Sequence, residues 1–337
     1  MTTGPDDVPT AGPHEPPTDG RHDLPTAGSR GSLTAGSQDG LTAGSQDGAT
    51  AGSQDGLAVA SQDGPAAGSQ DGLVAQWWAT AVSRVEPGII ELREHPVQDL
   101  IGHATFVDTI WLLLRGELPR AEQARLLEAA LVAGVDHGPQ APSIAAARMA
   151  ATCGVGLNSA MATGVNMLGD VHGGAGQQCV QLLGEIVERH GQGRGFDLAV
   201  AEVVGEWQSR SRYLPGFGHR FHPRDPRRDP LLSLVDRAVA DGLVEGAHLR
   251  AARTVEELLN RGREGKKPVP MNIDGATAVI YAELGFAAPL ARGLFVLSRS
   301  VGILAHAWEE TGQGRRNKSP MPPSMVPVHL VAPTARP

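Results

Sequence analysis

Three short segments set a group able to carry a proton beside glycine: VHGGAG at 171–176, PGFGHRFH at 215–222 and NIDG at 272–275. Glycine lets backbone approach a ligand closely and adopt positive φ. His172, His219 and Asp274 in that setting form a kit for moving a proton next to a carbonyl. The carboxylate serves as acid or base, and the imidazoles hold the oxygens where charge develops. Each residue also has a plainer reading. His172 stands between a helix ending near Leu168 and one beginning near Ala175. It either caps the second helix or sits neutral at its N-terminus, able to donate a hydrogen bond to an enolate. His219 lies in a Pro-Gly-Phe-Gly turn that either hugs a ligand or merely joins two helices. Asp274 precedes a helix from Ala276 and is either its N-cap or a base.

Cationic side chains surround these segments. Arg220, Arg224, Arg227 and Arg228 follow His219, as a solvated basic loop or as a site for carboxylate or phosphate. Arg299 lies inside the apolar stretch Leu290–Trp308. A charge buried there needs a carboxylate, supplied either by the protein or by a ligand. His137 follows Asp136 at the end of an amphipathic stretch. No P-loop, dinucleotide fingerprint, His-Glu-x-x-His or Gly-x-Ser-x-Gly occurs. Cys153 and Cys179 have no zinc spacing, and neither a metal nor a tightly bound cofactor is expected.

The elements that must position these residues read as helices. Apolar residues recur at three- and four-residue spacing over Phe106–Gly116, Ala121–Val135, Ser143–Cys153, Ser159–Leu168 and Ala175–His190. The same holds for Leu198–Trp207, Leu231–Val239, Leu249–Leu259, Ala276–Leu284 and Leu290–Trp308. Gly and Pro punctuate them, and no convincing alternating strand is visible. The expected fold class is all-α.

Composition divides the chain of 337 residues. Residues 1–74 hold almost no large apolar side chain, and Ser-Gln-Asp-Gly recurs every eight residues from Ser37 to Ser69. Such units have too little apolar surface to form a solenoid, so a disordered acidic linker is expected. Its ten acidic residues against two arginines equal the whole-chain net charge of −8, which leaves the rest near neutral. No nucleic-acid or anionic-membrane partner is implied. The longest apolar runs, such as Phe106–Leu114, are shorter than a bilayer span. No secretory signal is visible and two cysteines make no disulfide framework, so a cytoplasmic location is expected.

Together the segments resemble the citrate synthase superfamily over roughly Val85–Met321. The resemblance includes Leu113–Pro119 (LLRGELP), Asp136–Ser143 (DHGPQAPS), the three segments above, Asp225-Pro226-Arg227 and Arg299–His306 (RSVGILAH). It implies a homodimer of two-domain helical subunits: a large domain from 75–180 plus 286–337, and a small, CoA-side domain at 181–285. It implies Asp274 as the base on acetyl-CoA, His172 on the enol oxygen and His219 on the oxaloacetate carbonyl. His137, Arg227 and Arg299 would hold carboxylates, and Gly216, Phe217 and Gly218 would contact CoA. Coenzyme A would enter as a thioester substrate. The loop after His219 is a residue short, which makes Arg224 and Arg228 alternatives to Arg227. Arg315 and Arg316 are candidates for a contact across a dimer. Gly275, the Asp136-His137-Gly138 run and Gly-His-Arg-Phe-His are similar to stand-alone citryl-CoA lyases. The expected chemistry is therefore cleavage or formation of the bond between acetyl-CoA and oxaloacetate. Alternatives are a synthase for another acyl group, as in 2-methylcitrate, and a catalytically silent helical dimer.

Overall fold

All ten stretches with helical spacing are helices in the computed structural model, which describes residues 70–219, 222–322, 324–325 and 327–330. The octapeptide repeats up to residue 69 lie outside the described residues. Residues 70–74, expected to belong to the linker, are part of the first helix, α1 (Gln70–Trp77). A three-stranded antiparallel sheet follows, β1 (Ser83–Glu86), β2 (Ile89–Leu92) and β3 (His95–Pro96), in the order β1-β2-β3. The sequence reading lacked this sheet. Its strands are two to four residues long and none of their residues is fully buried, so they carry little hydrophobic alternation. The local cue was Pro87-Gly88 between Val85 and Ile89, with Gly88 at φ 81°.

The remaining elements are α2 (Val97–Leu100), α3 (Phe106–Arg115), α4 (Ala121–Gly134), α5 (Pro142–Thr152), α6 (Leu157–Asn166), α7 (Ala175–Gly191) and α8 (Phe196–Arg210). Then come α9 (Arg228–Ala240), α10 (Ala247–Asn260), α11 (Ile273–Glu283) and α12 (Ala288–Gly312). Local chemistry sets their ends. Thr105 and Asp108 form a reciprocal capping box on α3, and Gly116 closes it in the left-handed conformation. Pro142 opens α5 at its first turn, where its missing N–H costs nothing.

The main core joins α3, α4 and α7–α11 with the start of α12. Cys179, Val180, Leu182, Leu183 and Ile186 line one face of α7 at helical spacing, and all are buried. Each large aliphatic side chain of this kind contributes about 1.5–3 kcal/mol on burial. A second cluster joins Ile144 and Ala147 of α5, Ala160 of α6, and Ile303 and Ala307 of α12. Gly302 lets α12 press on the end of α4: a Cβ there would meet the Val135 carbonyl oxygen at 2.2 Å. That approach brings Arg299 to the last carbonyls of α4. Among the described residues α12 is also the one helix long and apolar enough to cross a membrane. It contradicts the expectation that no stretch has that length. Its buried face carries Ser298, Arg299 and Glu310, and Glu310 pairs with Arg148 and Lys318. Leu297, Val301, Leu304 and Trp308 lie on its uncovered side.

Candidate active site

The predicted site residues sit where helices begin and end. His137 is in the loop after α4, His172 in the loop before α7, and His219 between α8 and α9. Arg227 immediately precedes α9, Asp274 lies in the first turn of α11, and Arg299 is in the middle of α12.

The plain reading of Asp274 as a cap does not hold. Asn272 is the N-cap: its side-chain oxygen accepts the N–H groups of Asp274 at 2.9 Å and Gly275 at 3.2 Å. The Asp274 carboxylate is therefore released from capping. Burial pushes its pKa up, against the opposing pull of Arg299 and Arg227. Asn272 also donates to the Gly218 carbonyl at 2.6 Å. Gly216 and Gly218 pair through their backbone with the Pro270–Asn272 segment. The helix bearing Asp274 and the turn bearing His219 are thus one rigid unit. Gly216, at φ 83°, and Gly275 make that contact fit. A Cβ on Gly275 would lie 2.5 Å from the Gly216 carbonyl oxygen and 2.5 Å from Met271 Cγ. Of the expected CoA contacts, Gly216 and Phe217 are buried, Phe217 in the core, and Gly218 is half-buried.

His172 is half-buried and neutral for a different reason from the one expected. Its ring meets the N-terminus of α5, not that of α7. The Ser143 peptide N–H points at its Nε2 from 3.2 Å, and the Ser143 hydroxyl lies 3.0 Å from the same atom. A peptide N–H can only donate, so Nε2 is the acceptor and the ring proton is on Nδ1. Burial, then the nearby Arg299 charge, holds the pKa below the usual histidine value. His219 is arranged similarly. The His222 N–H donates to its Nδ1 at 2.9 Å, which puts the proton on Nε2. Burial and the neighbouring His222 lower its pKa. His137 stands edge-on to His219, with centroids 5.6 Å apart. Burial, Arg227 and Arg299 keep it neutral too.

The arginines separate sharply. Arg224 pairs with Asp229, and Arg228 pairs with Asp229 and Glu256. Arg227 holds the buried Asp225 through Nε at 2.9 Å and Nη2 at 2.8 Å, and donates to the Ala133 carbonyl at 3.3 Å. Three of its five N–H groups are engaged, leaving one on each terminal nitrogen. Burial alone would raise the Asp225 pKa, but the Arg227 hydrogen bonds outweigh it and hold the carboxyl low. Asp225 also accepts the Ile273 N–H at 3.2 Å, tying Arg227 to the start of α11. Arg299 has no such partner. It is 5% exposed, donates through Nε to the Gly134 carbonyl at 3.0 Å, and forms no salt bridge among the described residues. Burial lowers its pKa, so the charge is held at a cost.

Sequence reasoning missed Ser143, His222 and Asn272 and gave Asp225 no role. Ser143 stood only at the start of a helical stretch, and Asn272 only within the quoted segment whose cap was read as Asp274. Asp225 was part of a quoted motif, and its bidentate grip on Arg227 depends on the turn between them. His222 was part of a quoted segment without an assigned task.

Electrostatic reach joins the group: Asp274 responds to Arg299, Arg227 and Asp225, and His172 responds to Arg299. A surface cavity of about 420 Å³ lies between Pro223, Arg224, Arg228, the end of α10 and the Pro268–Pro270 segment. Two neutral imidazoles with fixed N–H directions, a carboxylate of raised pKa and a buried guanidinium suit proton transfer at carbon beside a carbonyl, on an anionic substrate.

Known proteins bear on the same region. The family model "Citrate synthase, C-terminal domain" matches residues 119–321. Citrate synthase of Acidithiobacillus ferridurans is 27% identical over 221 residues, covering 65% of this chain and 54% of the relative. Citrate synthase of Deinococcus radiodurans is 28% identical over 240 residues, covering 70% and 58%. The chain thus spans little more than half the length of these curated relatives. Among solved structures, citryl-CoA lyase from Hydrogenobacter thermophilus aligns with a TM-score of 0.65 and 32% identity, covering 77% of this chain and 97% of the lyase. ATP citrate lyase from Methanothrix soehngenii, solved with citrate and coenzyme A, shares the fold at a TM-score of 0.63 and 20% identity, covering 81% of this chain and 47% of that one.

Proposed function

Because the chain belongs to the citrate synthase family, we propose that it catalyses the reversible joining of acetyl-CoA and oxaloacetate, with citryl-CoA cleavage as its favoured direction. The observation that carries this reading is Arg299, a buried guanidinium that forms no salt bridge among the described residues, set among neutral histidines and within electrostatic reach of Asp274. Such a charge fits a substrate carboxylate.

In the condensation direction, Asp274 takes a proton from the acetyl methyl carbon. The Nδ1–H of His172 donates to the thioester oxygen as it becomes an enol oxygen. The new carbon nucleophile attacks the keto carbon of oxaloacetate. The Nε2–H of His219 goes to the keto oxygen, which becomes the tertiary hydroxyl. Arg299 and the two remaining donors of Arg227 hold carboxylates, with His137 beside them. Cleavage runs the same steps backwards: His219 recovers the hydroxyl proton and Asp274 returns a proton to the enol carbon. An unassisted carboxylate is a weak base for such carbon. A well-placed donor on the forming oxyanion contributes roughly 3–4 kcal/mol in comparable sites, and the α5 N-terminus fixes His172 for that task.

The lyase direction is supported by the likeness of Gly275 and the Gly218–His222 run to stand-alone citryl-CoA lyases, and by the 32% identity to the Hydrogenobacter lyase. Hydrolysis of the citryl thioester separates the two activities. The test supplies citryl-CoA, and separately acetyl-CoA with oxaloacetate, and follows free CoA. Acetyl-CoA and oxaloacetate from the first, without stoichiometric CoA from the second, is the expected result. Stoichiometric CoA with citrate would assign a synthase, and no turnover of either would reject the reading.

We propose a homodimer through the side of α12 that the described residues leave exposed. Leu297, Val301, Leu304 and Trp308 follow one another at helical spacing, and an apolar row of this kind fits a second copy of the chain. Analytical ultracentrifugation of V301E against the parent protein tests it; the dimer should be lost in the variant.

A further inference from the structure

The ring of His222 has no role in the steps above. It is half-buried, 4.5 Å from the His219 ring between centroids and 6.0 Å from that of His137. One ring nitrogen from each of the three histidines lies within 4.8 Å of the others. The His222 ring makes no hydrogen bond or ion pair with the described residues.

Three convergent imidazoles suit either a metal ion or a substrate oxygen. Nitrogens on a zinc at ~2.0–2.1 Å stand roughly 3.3 Å apart. Donors ~2.8 Å from a shared oxygen stand up to about 4.6 Å apart. The protonation pattern separates the two. A metal-bound imidazole points its other N–H at an acceptor. His219 Nδ1 instead faces the peptide N–H of His222, so its proton is on Nε2. Metal at Nε2 would move that proton to Nδ1 and set N–H against N–H. The guanidiniums of Arg227 and Arg299 also favour an anion over a dication.

We propose that His222 is a third imidazole contact to the 2-oxo acid, closing a triangle with His137 and His219 around one of its oxygens. This rests on the reading of the site as an oxaloacetate and citryl-CoA site. His222 then acts on the reaction twice: its peptide N–H sets the tautomer of His219, and its ring donates to the same substrate. Only the second action is lost when the side chain is replaced.

The experiment compares H222L and H222Q with the parent protein, all full-length. It reads KM for oxaloacetate and acetyl-CoA in citryl-CoA formation, and oxaloacetate binding by calorimetry. Thermal melts followed by circular dichroism establish that each variant folds. Leucine should raise the oxaloacetate KM and Kd about tenfold, the loss of one hydrogen bond. Acetyl-CoA KM should stay within twofold. Glutamine, which keeps an N–H donor, should recover most of the loss. Unchanged oxaloacetate affinity in H222L, or an equal change in both KM values, overturns the contact. Absence of parent turnover with binding intact would instead count against the reaction. Stoichiometric zinc on the parent, lost in both variants, would assign the rings to a metal and overturn the proposal.

Discussion

Replacing Arg299 by methionine separates substrate binding from fold stability, because the two should move in different directions. The guanidinium is 5% exposed and donates to one carbonyl, that of Gly134, at 3.0 Å. Removing it loses one hydrogen bond from a charged donor, about 2 kcal/mol. It also relieves a desolvated charge that no salt bridge among the described residues compensates, a penalty of several kcal/mol per ion. The melting temperature should therefore hold or rise; a net gain of about 1 kcal/mol corresponds to roughly 2–4 °C in a domain of this size. A substrate carboxylate loses two charge-assisted hydrogen bonds, together about 3–5 kcal/mol, so oxaloacetate affinity should fall by roughly two to four orders of magnitude. Arg299 also holds the Asp274 pKa down. In R299M the pH at which Asp274 becomes a competent base should shift upward. The assay is calorimetry with oxaloacetate, a thermal melt, and the pH profile of kcat/KM. A melt lowered by the ~3–5 kcal/mol typical of a broken buried ion pair, with oxaloacetate affinity unchanged, would refute the reasoning and make Arg299 a structural residue.

Asp274→Asn should abolish exchange of the acetyl-CoA methyl protons with solvent while CoA binding stays nearly intact, as read by deuterium incorporation and calorimetry. Gly275→Ala drives a Cβ into the Gly216 carbonyl and Met271, so a loss of about 1–3 kcal/mol is expected in denaturant unfolding. The His219 turn should shift with it and reduce kcat. The low pKa of Asp225 stabilises the fold above the ordinary carboxylate value of about 3.9, and that contribution is lost as pH falls through the lower folded value. D225A should flatten this acid limb of stability and leave Arg227 uncompensated. The lowered pKa values of His172 and His219 keep both neutral at pH 7, so activity should fall as acid protonates them. Imidazolium at His172 would place a ring N–H against the Ser143 N–H.

Periodicity alone located ten helices, because each buries one stripe of apolar side chains against a shared core, and that stripe is written at three- and four-residue spacing. It located no sheet, because three short strands with no fully buried residue leave no pattern. The types of the chemical residues were also legible: His172, His219 and Asp274 stand beside glycines, where backbone can come close. Tertiary structure decided what each of them is able to do. Asp274 could not be told from a cap until Asn272 was seen capping in its place. The neutrality of His172 was expected from the helix that follows it, but the α5 N-terminus, brought across from Ser143, directs its proton. Four arginines near His219 and one in α12 looked alike as cations. Arg224 and Arg227 pair locally, with Asp229 and Asp225, but the tasks of the others depend on what the fold brings within reach: Arg228 meets Glu256, 28 residues away, and Arg299 forms no salt bridge among the described residues. Local interactions write themselves into adjacent residues; long-range pairing and its absence do not.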